Sequence, residues 1–397
     1  MTLALSKNKG SFLSIFSITL SLLFVTYAEV NGQTAQLIDD PRFTVDATAA
    51  IDSLYNRNNV AARELLLPWR ETYPDHPLWK LWEGMELWWE LLEDLAIDDY
   101  DELFIETMKE ADYRARQVLQ NEPDHIDALI VISVSNSYIA RLHSNRKRWI
   151  TSLQIGRVGY QAHLRLMEVK PDLADNYFAE GMKLYYSAYV VEEYPIVRPF
   201  ASFLPDGNRE SGMQFLREAI DKALFARPEA VYFLATIQFH YEENFTDAKD
   251  LFRLLVDKYP DNGYYRRLYM HTLAQLREYP SMISFHNETF IHWQDQQLKR
   301  DPVMESELYY WVGRSYYFHL DSASAYRSFV NSVESARDLR NRENRIYVTQ
   351  AAYFAGRVSE DLGRAEEAIQ YYKIAASQKT ASEVINRAKN RLKELDG

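Results

Sequence analysis

The sequence predicts an all-α protein, a solenoid of antiparallel helical hairpins, and three observations carry that prediction. A proline recurs with a small residue twelve positions before it: Ala62 before Pro74, Ala111 before Pro123, Gly159 before Pro171 and Ala248 before Pro260. Most of these prolines are followed by an acidic residue and a new aromatic stretch, as in YPDHPLWKLWEG, KPDLADNYFAEG and YPDNGYYRRLY. Recurrence of this kind marks a repeat array. Finally, only 13 Gly and 13 Pro occur in 397 residues. Both residues weaken helices from within, so their scarcity favours long uninterrupted ones.

Taken in order, the chain opens with Lys7 and Lys9 and then runs uncharged from Ser11 to Val25. That is the length of a secretory apolar core and short for a membrane span. Residues 1–32 therefore read as a signal peptide, cleaved after Ala28 or Gly32, with an uncleaved anchor helix as the other reading. Residues 33–43 read as a disordered lead. Hairpins follow near 44–76, 78–123, 126–171, 174–228, 230–260, 263–302, 306–345 and 349–377. In several of them the spacing of small residues is stretched: Gly84 to Ala111, Ser133 to Gly159 and Gly181 to Gly212. The extra residues read as longer helices and longer loops inside each hairpin. Residues 378–397, highly charged, read as the solvating cap that a repeat stack needs at its end.

Bulk properties narrow the function classes. The net charge of −12 argues against nucleic acid, which needs a basic surface, and weakly against an anionic membrane. The absence of Cys removes disulfides, thiolate chemistry, Cys-ligated metal and the lipid-acceptor residue of a bacterial lipoprotein. No glycine-rich phosphate loop, Gly-x-Ser-x-Gly elbow or His-Glu-x-x-His pair is present. His286 and His292 are six apart, on different faces of a helix. The acidic run Glu90, Glu93, Asp94, Asp98, Asp99, Asp101 and Glu102 reads as a solvated loop and helix start. The basic cluster Arg141, Arg146, Lys147 and Arg148, placed equivalently in the next hairpin, either pairs with it or faces solvent. Neither a catalytic group, a metal nor a cofactor is expected.

The best-formed repeat has Tyr353-Phe354-Ala355-Gly356, then Gly363, Ala368, Tyr372 and Ala375; a second has Tyr309, Gly313, Tyr316, Ala325 and Phe329; a third has Tyr232, Ala235, Phe239, Ala248, Phe252 and Pro260. These positions resemble the tetratricopeptide repeat (TPR) family, and the match covers most of 44–377. The resemblance implies a right-handed superhelix whose first helices line one concave surface. It assigns that lining to the residue after the helix-A glycine and to those four or five further on: Met85, Trp88 and Trp89; Met182 and Tyr185; Ile237, His240 and Tyr241; Arg314, Tyr317 and Phe318; and Arg357. The proline-aromatic stretch 192–210 either plugs a gap in its stretched hairpin with its aromatics or narrows the groove beside Tyr185 and presents Arg198.

Together these readings describe a non-enzymatic interaction scaffold, exported and periplasmic or secreted if bacterial. It would hold a partner protein or peptide in its groove, bind no nucleic acid, and have no stable membrane insertion after signal cleavage. The alternative is a glycan- or small-molecule-binding protein, or an enzyme on a helical toroid, using the groove aromatics. A wide groove favours the first; a closed pocket with paired carboxylates favours the second.

Overall fold

In the computed structural model, which describes residues 34–193 and 206–395, every regular element is helical. The seventeen α-helices form eight consecutive pairs and a final single helix. The pairs are α1 (Pro41–Tyr55) with α2 (Asn59–Thr72), α3 (Leu78–Glu93) with α4 (Asp101–Asn121), α5 (Ile126–Asn145) with α6 (Trp149–Val169), and α7 (Asn176–Glu193) with α8 (Arg209–Lys222). Then come α9 (Arg227–His240) with α10 (Phe245–Lys258), α11 (Gly263–Gln275) with α12 (Tyr279–Asp295), α13 (Pro302–Phe318) with α14 (Ser322–Ser335), and α15 (Ile346–Asp361) with α16 (Ala365–Ala376). Each helix packs chiefly on its chain neighbours, as in a solenoid. The last, α17 (Ser382–Leu395), lies on α15 and α16, burying Ile385 and Ala388 while Arg391 pairs with Glu360.

Helix starts are written locally. Asp40, Asn58, Asn208, Asn244, Asn262, Asp301 and Asp321 each accept a backbone N–H from the first turn of the helix that follows. These side chains satisfy donors that have no partner within the helix.

The turns inside the hairpins show the repeat more sharply. After α1, α5, α11, α13 and α15, the residue two past the helix end is left-handed: Arg57, Lys147, Arg277, Leu320 and Gly363. The next N–H then donates to the carbonyl five residues back, as Asn58 does to Ser53, Arg148 to His143, Glu278 to Leu273, Asp321 to Tyr316 and Arg364 to Ser359. Such a turn closes the orphaned carbonyls of the first helix and launches the second one residue later. It makes the twelve-residue step a matter of geometry: Ala50–Ala62, Ala140–Ser152, Gly313–Ala325 and Gly356–Ala368 all bracket one left-handed residue. The helices meet closely at these steps. Ser152 Oγ donates to the Ala140 carbonyl at 2.7 Å. A Cβ on Gly356 would lie 2.8 Å from the Tyr372 ring, and one on Gly313 would lie 2.8 Å from the Phe329 ring.

Three expectations change, two of them in part. The spacing Ser133–Gly159 predicts longer helices and a longer loop; α5 and α6 are long, but they are joined by residues 146–148 alone. The true step is Ala140–Ser152, and Ser133 and Gly159 lie about two helical turns beyond it on either side. Residues 36–43 are not a disordered lead. Leu37 is buried, its N–H donates to buried Asp127 (2.5 Å), and Gln36 Oε1 accepts from the Ile126 N–H (2.6 Å). An apolar side chain and two paired backbone groups fix this segment against the start of α5. The acidic run is exposed at Glu93, Asp98, Asp99 and Glu102 and places Asp101 and Glu102 in the first turn of α4, as expected, but much of it is also ion-paired. Arg57 pairs with Glu90 and Glu93, Arg146 with Asp101, Arg345 with Asp94 and Arg340 with Asp99.

The last two pairs join the α3–α4 loop to residues 340–345, some six hairpins later. Asn341 Nδ2 also donates to the Ala96 carbonyl at 3.0 Å. A second closure joins the end of α1 to the α10–α11 turn. Asn262 Nδ2 donates to the Tyr55 carbonyl (2.7 Å), Asp261 N–H to Asn56 Oδ1 (3.0 Å), and Tyr259 Oη to Asp52 (2.7 Å). The solenoid therefore winds back onto its own first hairpins, so part of its inner face is covered by the same chain. Residues 1–32 and Arg198 lie outside the described residues.

Candidate functional site

The first helices of the first five hairpins, α1, α3, α5, α7 and α9, all contribute to one cleft of about 270 Å³. Its walls are apolar: Phe43 and Ile51 from α1, Trp82 and Met85 from α3, Val134 from α5 and Phe178 from α7. Three carboxylates reach it, and each is already engaged. Asp127 accepts the Leu37 and Ile38 N–H groups. Asp175 accepts the N–H groups of Leu224, Phe225 and Ala226. Glu229 accepts from Tyr55 Oη (2.6 Å), Tyr138 Oη (3.1 Å) and Arg141 Nη1 (3.0 Å). The Arg141 guanidinium is in turn boxed by the Trp88, Tyr232 and Phe233 rings, each within 5 Å.

Two polar atoms of the cleft lining have no partner among the described residues. His163 is 6 % exposed and Asn176 8 %, and His163 Nε2 and Asn176 Oδ1 make no hydrogen bond to any of them. Asn176 Nδ2 is fixed by the Lys170 carbonyl at 3.0 Å, which leaves Oδ1 as the free acceptor. Burial pushes the His163 imidazole below its ordinary pKa, so it is neutral at pH 7. An unsatisfied buried polar atom is costly, and both of these border a cleft that a ligand can enter.

A second cavity, also about 270 Å³, lies where the α3–α4 loop meets α11, α13 and α15. Arg267 Nη1 reaches Glu307 at 3.4 Å, His271 Nε2 lies 3.1 Å from Glu307, and Tyr347 Oη lies 2.9 Å from the same His271 nitrogen. Burial opposes ionisation of Glu307, but Arg267, His271 and Arg345 outweigh it and hold the carboxyl below the usual range. Arg345 clasps Asp94 through both terminal nitrogens at 3.1 and 2.5 Å. Each carboxylate here is tied to a cation. Among the described residues, no group of three or more His, Asp and Glu side chains is placed to hold a metal ion.

The residues expected to line the groove fall into separate places. Trp88 and Trp89 are 1 % and 3 % exposed and belong to the core. Trp88 packs on Phe104 and Tyr138, and Trp89 sits edge-on between Tyr55 and Tyr265. The inward face of α3 is covered at this level by the returning α11, so these rings are not a binding surface. Tyr185 is also fully buried, donating to Glu242 at 2.6 Å beneath Arg209. Tyr241 packs beside it on Tyr189, with ring centres 4.5 Å apart, while His240 is exposed next to Phe239. Arg314 and Tyr317 gather around Phe354, whereas exposed Phe318 stacks on Tyr279. Arg357 is half-buried on α15, one turn beyond Phe354.

Of the positions after a helix-A glycine, Met85 does line the cleft. Trp82, Val134, Phe178, His163 and Asn176 gave no sequence signal. An apolar residue on the inner face of a helix looks the same whether it meets a ligand or a neighbour.

No protein-family model matches the chain, and no curated protein matches it. Among solved structures, the crystal structure of yeast Tom70 is similar at 10 % identity and a TM-score of 0.41, over 80 % of this chain and 63 % of that one. The chain thus spans less than two thirds of that structure's length. The TPR-like character of the fold rests on its own hairpins and turns.

Proposed function

We propose that the protein is a non-enzymatic interaction scaffold that holds an apolar segment of a partner polypeptide in the cleft between α1, α3, α5, α7 and α9. The apolar, inward-facing cleft with two unpaired buried polar atoms is the observation that carries this reading. Its volume suits a few side chains rather than a folded surface. A polypeptide presents an N–H and a carbonyl at nearly every residue, which is the chemistry that Asn176 Oδ1 and neutral His163 lack. A sugar would need many free polar groups, but the carboxylates around the cleft are already engaged by the protein's own amides, phenols and guanidinium. The second cavity supports an enzyme no better, since Glu307 and Asp94 are both held by arginine.

A photo-crosslinker at Phe178, which also lines the cleft, tests the reading by capturing whatever enters it. We expect a polypeptide adduct, and expect Val134→Asp to weaken capture more than about thirtyfold, because a carboxylate would be buried against apolar atoms. An adduct to a sugar, or undiminished capture by a folded Val134→Asp variant, would sink the proposal.

We further propose that the scaffold acts outside the cytoplasm, as the basic start and uncharged Ser11–Val25 stretch suggest. The mass of the protein from its native source then corresponds to a first residue shortly after Ala28 or Gly32. An intact Met1 would contradict export with cleavage.

A further inference from the structure

The chain is acidic, yet its charge is unevenly distributed. From Ala128 to Met167, forty residues, there is no Asp or Glu, although the whole chain holds 57 of them. The same stretch carries Arg141, Arg146, Lys147, Arg148, Arg157 and Arg165. Arg141, Arg146 and Arg165 are paired with Glu229, Asp101 and Asp124. Lys147, Arg148 and Arg157 are exposed and make no ion pair among the described residues. Their field is felt behind the surface: burial, Arg148 and Lys109 together push the His143 imidazole below its ordinary pKa, against the opposing Asp101.

Among these cations stand the most exposed large apolar side chains of α6: Trp149 at 60 %, Ile150 at 74 % and Leu153 at 73 %. At i, i+1 and i+4 they share one helical face with Arg157 at i+8. Exposed apolar residues scattered singly need no explanation, but a contiguous patch does. No helix among the described residues is long and apolar enough to cross a membrane, so contact with a bilayer through this patch would be peripheral.

We propose that the α5–α6 edge docks on an anionic membrane surface. Trp149, Ile150 and Leu153 enter the headgroup boundary, while Lys147, Arg148 and Arg157 meet lipid phosphates. Tryptophan beside aliphatic residues and unpaired cations is the composition that favours the interfacial layer. Local charge, not the net charge of −12, governs the encounter, because fields are screened within about 8 Å in physiological salt. This inference uses a surface apart from the cleft and stands or falls independently of it.

Because the chain has no Cys, a single cysteine can report on the patch. An environment-sensitive fluorophore on Ile150→Cys in the full chain is mixed with phosphatidylglycerol-containing vesicles, with pure phosphatidylcholine vesicles and with soluble polyglutamate. The same label on Leu320→Cys, at a position 89 % exposed, serves as the control. The expected result is a blue shift at 150, not at 320, on anionic vesicles alone. Replacing Lys147 and Arg148 with Gln should weaken binding about fivefold for each cation removed. A label that stays in water on anionic vesicles overturns the proposal. So does an equal shift on neutral vesicles, or a shift with polyglutamate alone, which would mark an acidic protein as the partner.

Discussion

Glu229→Ala is expected to destabilise the protein by about 3–5 kcal/mol, the usual cost of removing one partner from a buried ion pair. The substitution leaves Arg141 charged inside a box of Trp88, Tyr232 and Phe233. It also strips the acceptor from Tyr55 Oη and Tyr138 Oη at once. The pair is well enclosed, with the Arg141 and Glu229 side chains 17 % and 13 % exposed, so solvent recovers little of the loss. Urea denaturation followed by circular dichroism measures the change. The double variant Arg141→Met/Glu229→Leu should be less destabilised than Glu229→Ala, because it buries no unpaired charge. A Glu229→Ala loss under about 1 kcal/mol would mean that this network does not hold the first, third and fifth hairpins together.

How much of this was legible depends on how far apart the partners lie in sequence. The all-α hairpin stack could be read because its information is local. A left-handed turn fixes a twelve-residue step, and a small residue at each end of the step lets two helices touch. Where helices grew longer, as in α5 and α6, the small residues Ser133 and Gly159 moved attention away from the true step at Ala140 and Ser152. The closures were not legible. Tyr55 meets Glu229 across 174 positions and Arg345 meets Asp94 across 251, and no local period encodes such pairs.

That gap explains the misplacement of Trp88 and Trp89. The resemblance to the TPR pattern implies an inward place for them on α3, and they are there. Whether that face meets a ligand or the chain's own α11 depends on how tightly the superhelix winds. Winding is set by small increments in every hairpin, and several here carry extra turns of helix. The cleft residues were hidden for the opposite reason. Val134 and Phe178 have the pattern of core positions and become a candidate surface only because the stack leaves space beside them. The acidic run was legible as an exposed loop and helix start, but two of its partners, Arg340 and Arg345, lie more than two hundred residues away.

Arg345→Met tests the other consequence of winding. In an open solenoid each repeat touches only its neighbours, so damage to one end is felt locally. Here Arg345 holds Asp94 with both terminal nitrogens, and its Nη2 also donates to the Arg340 carbonyl at 2.8 Å. The Arg345 and Asp94 side chains are only 10 % and 15 % exposed. Losing the arginine leaves Asp94 charged and poorly solvated, at a cost of about 3–5 kcal/mol. The more telling readout is where the structure loosens. Hydrogen exchange reports local opening segment by segment, and it should speed up both at 340–346 and at the α3–α4 loop, 94–101, six hairpins away in the chain. Acceleration confined to 340–346 would mean that the α3–α4 loop is held by its own hairpin and that the stack behaves as an open array. Acceleration at both places would show that the second cavity owes its walls to contacts between the second hairpin and the last.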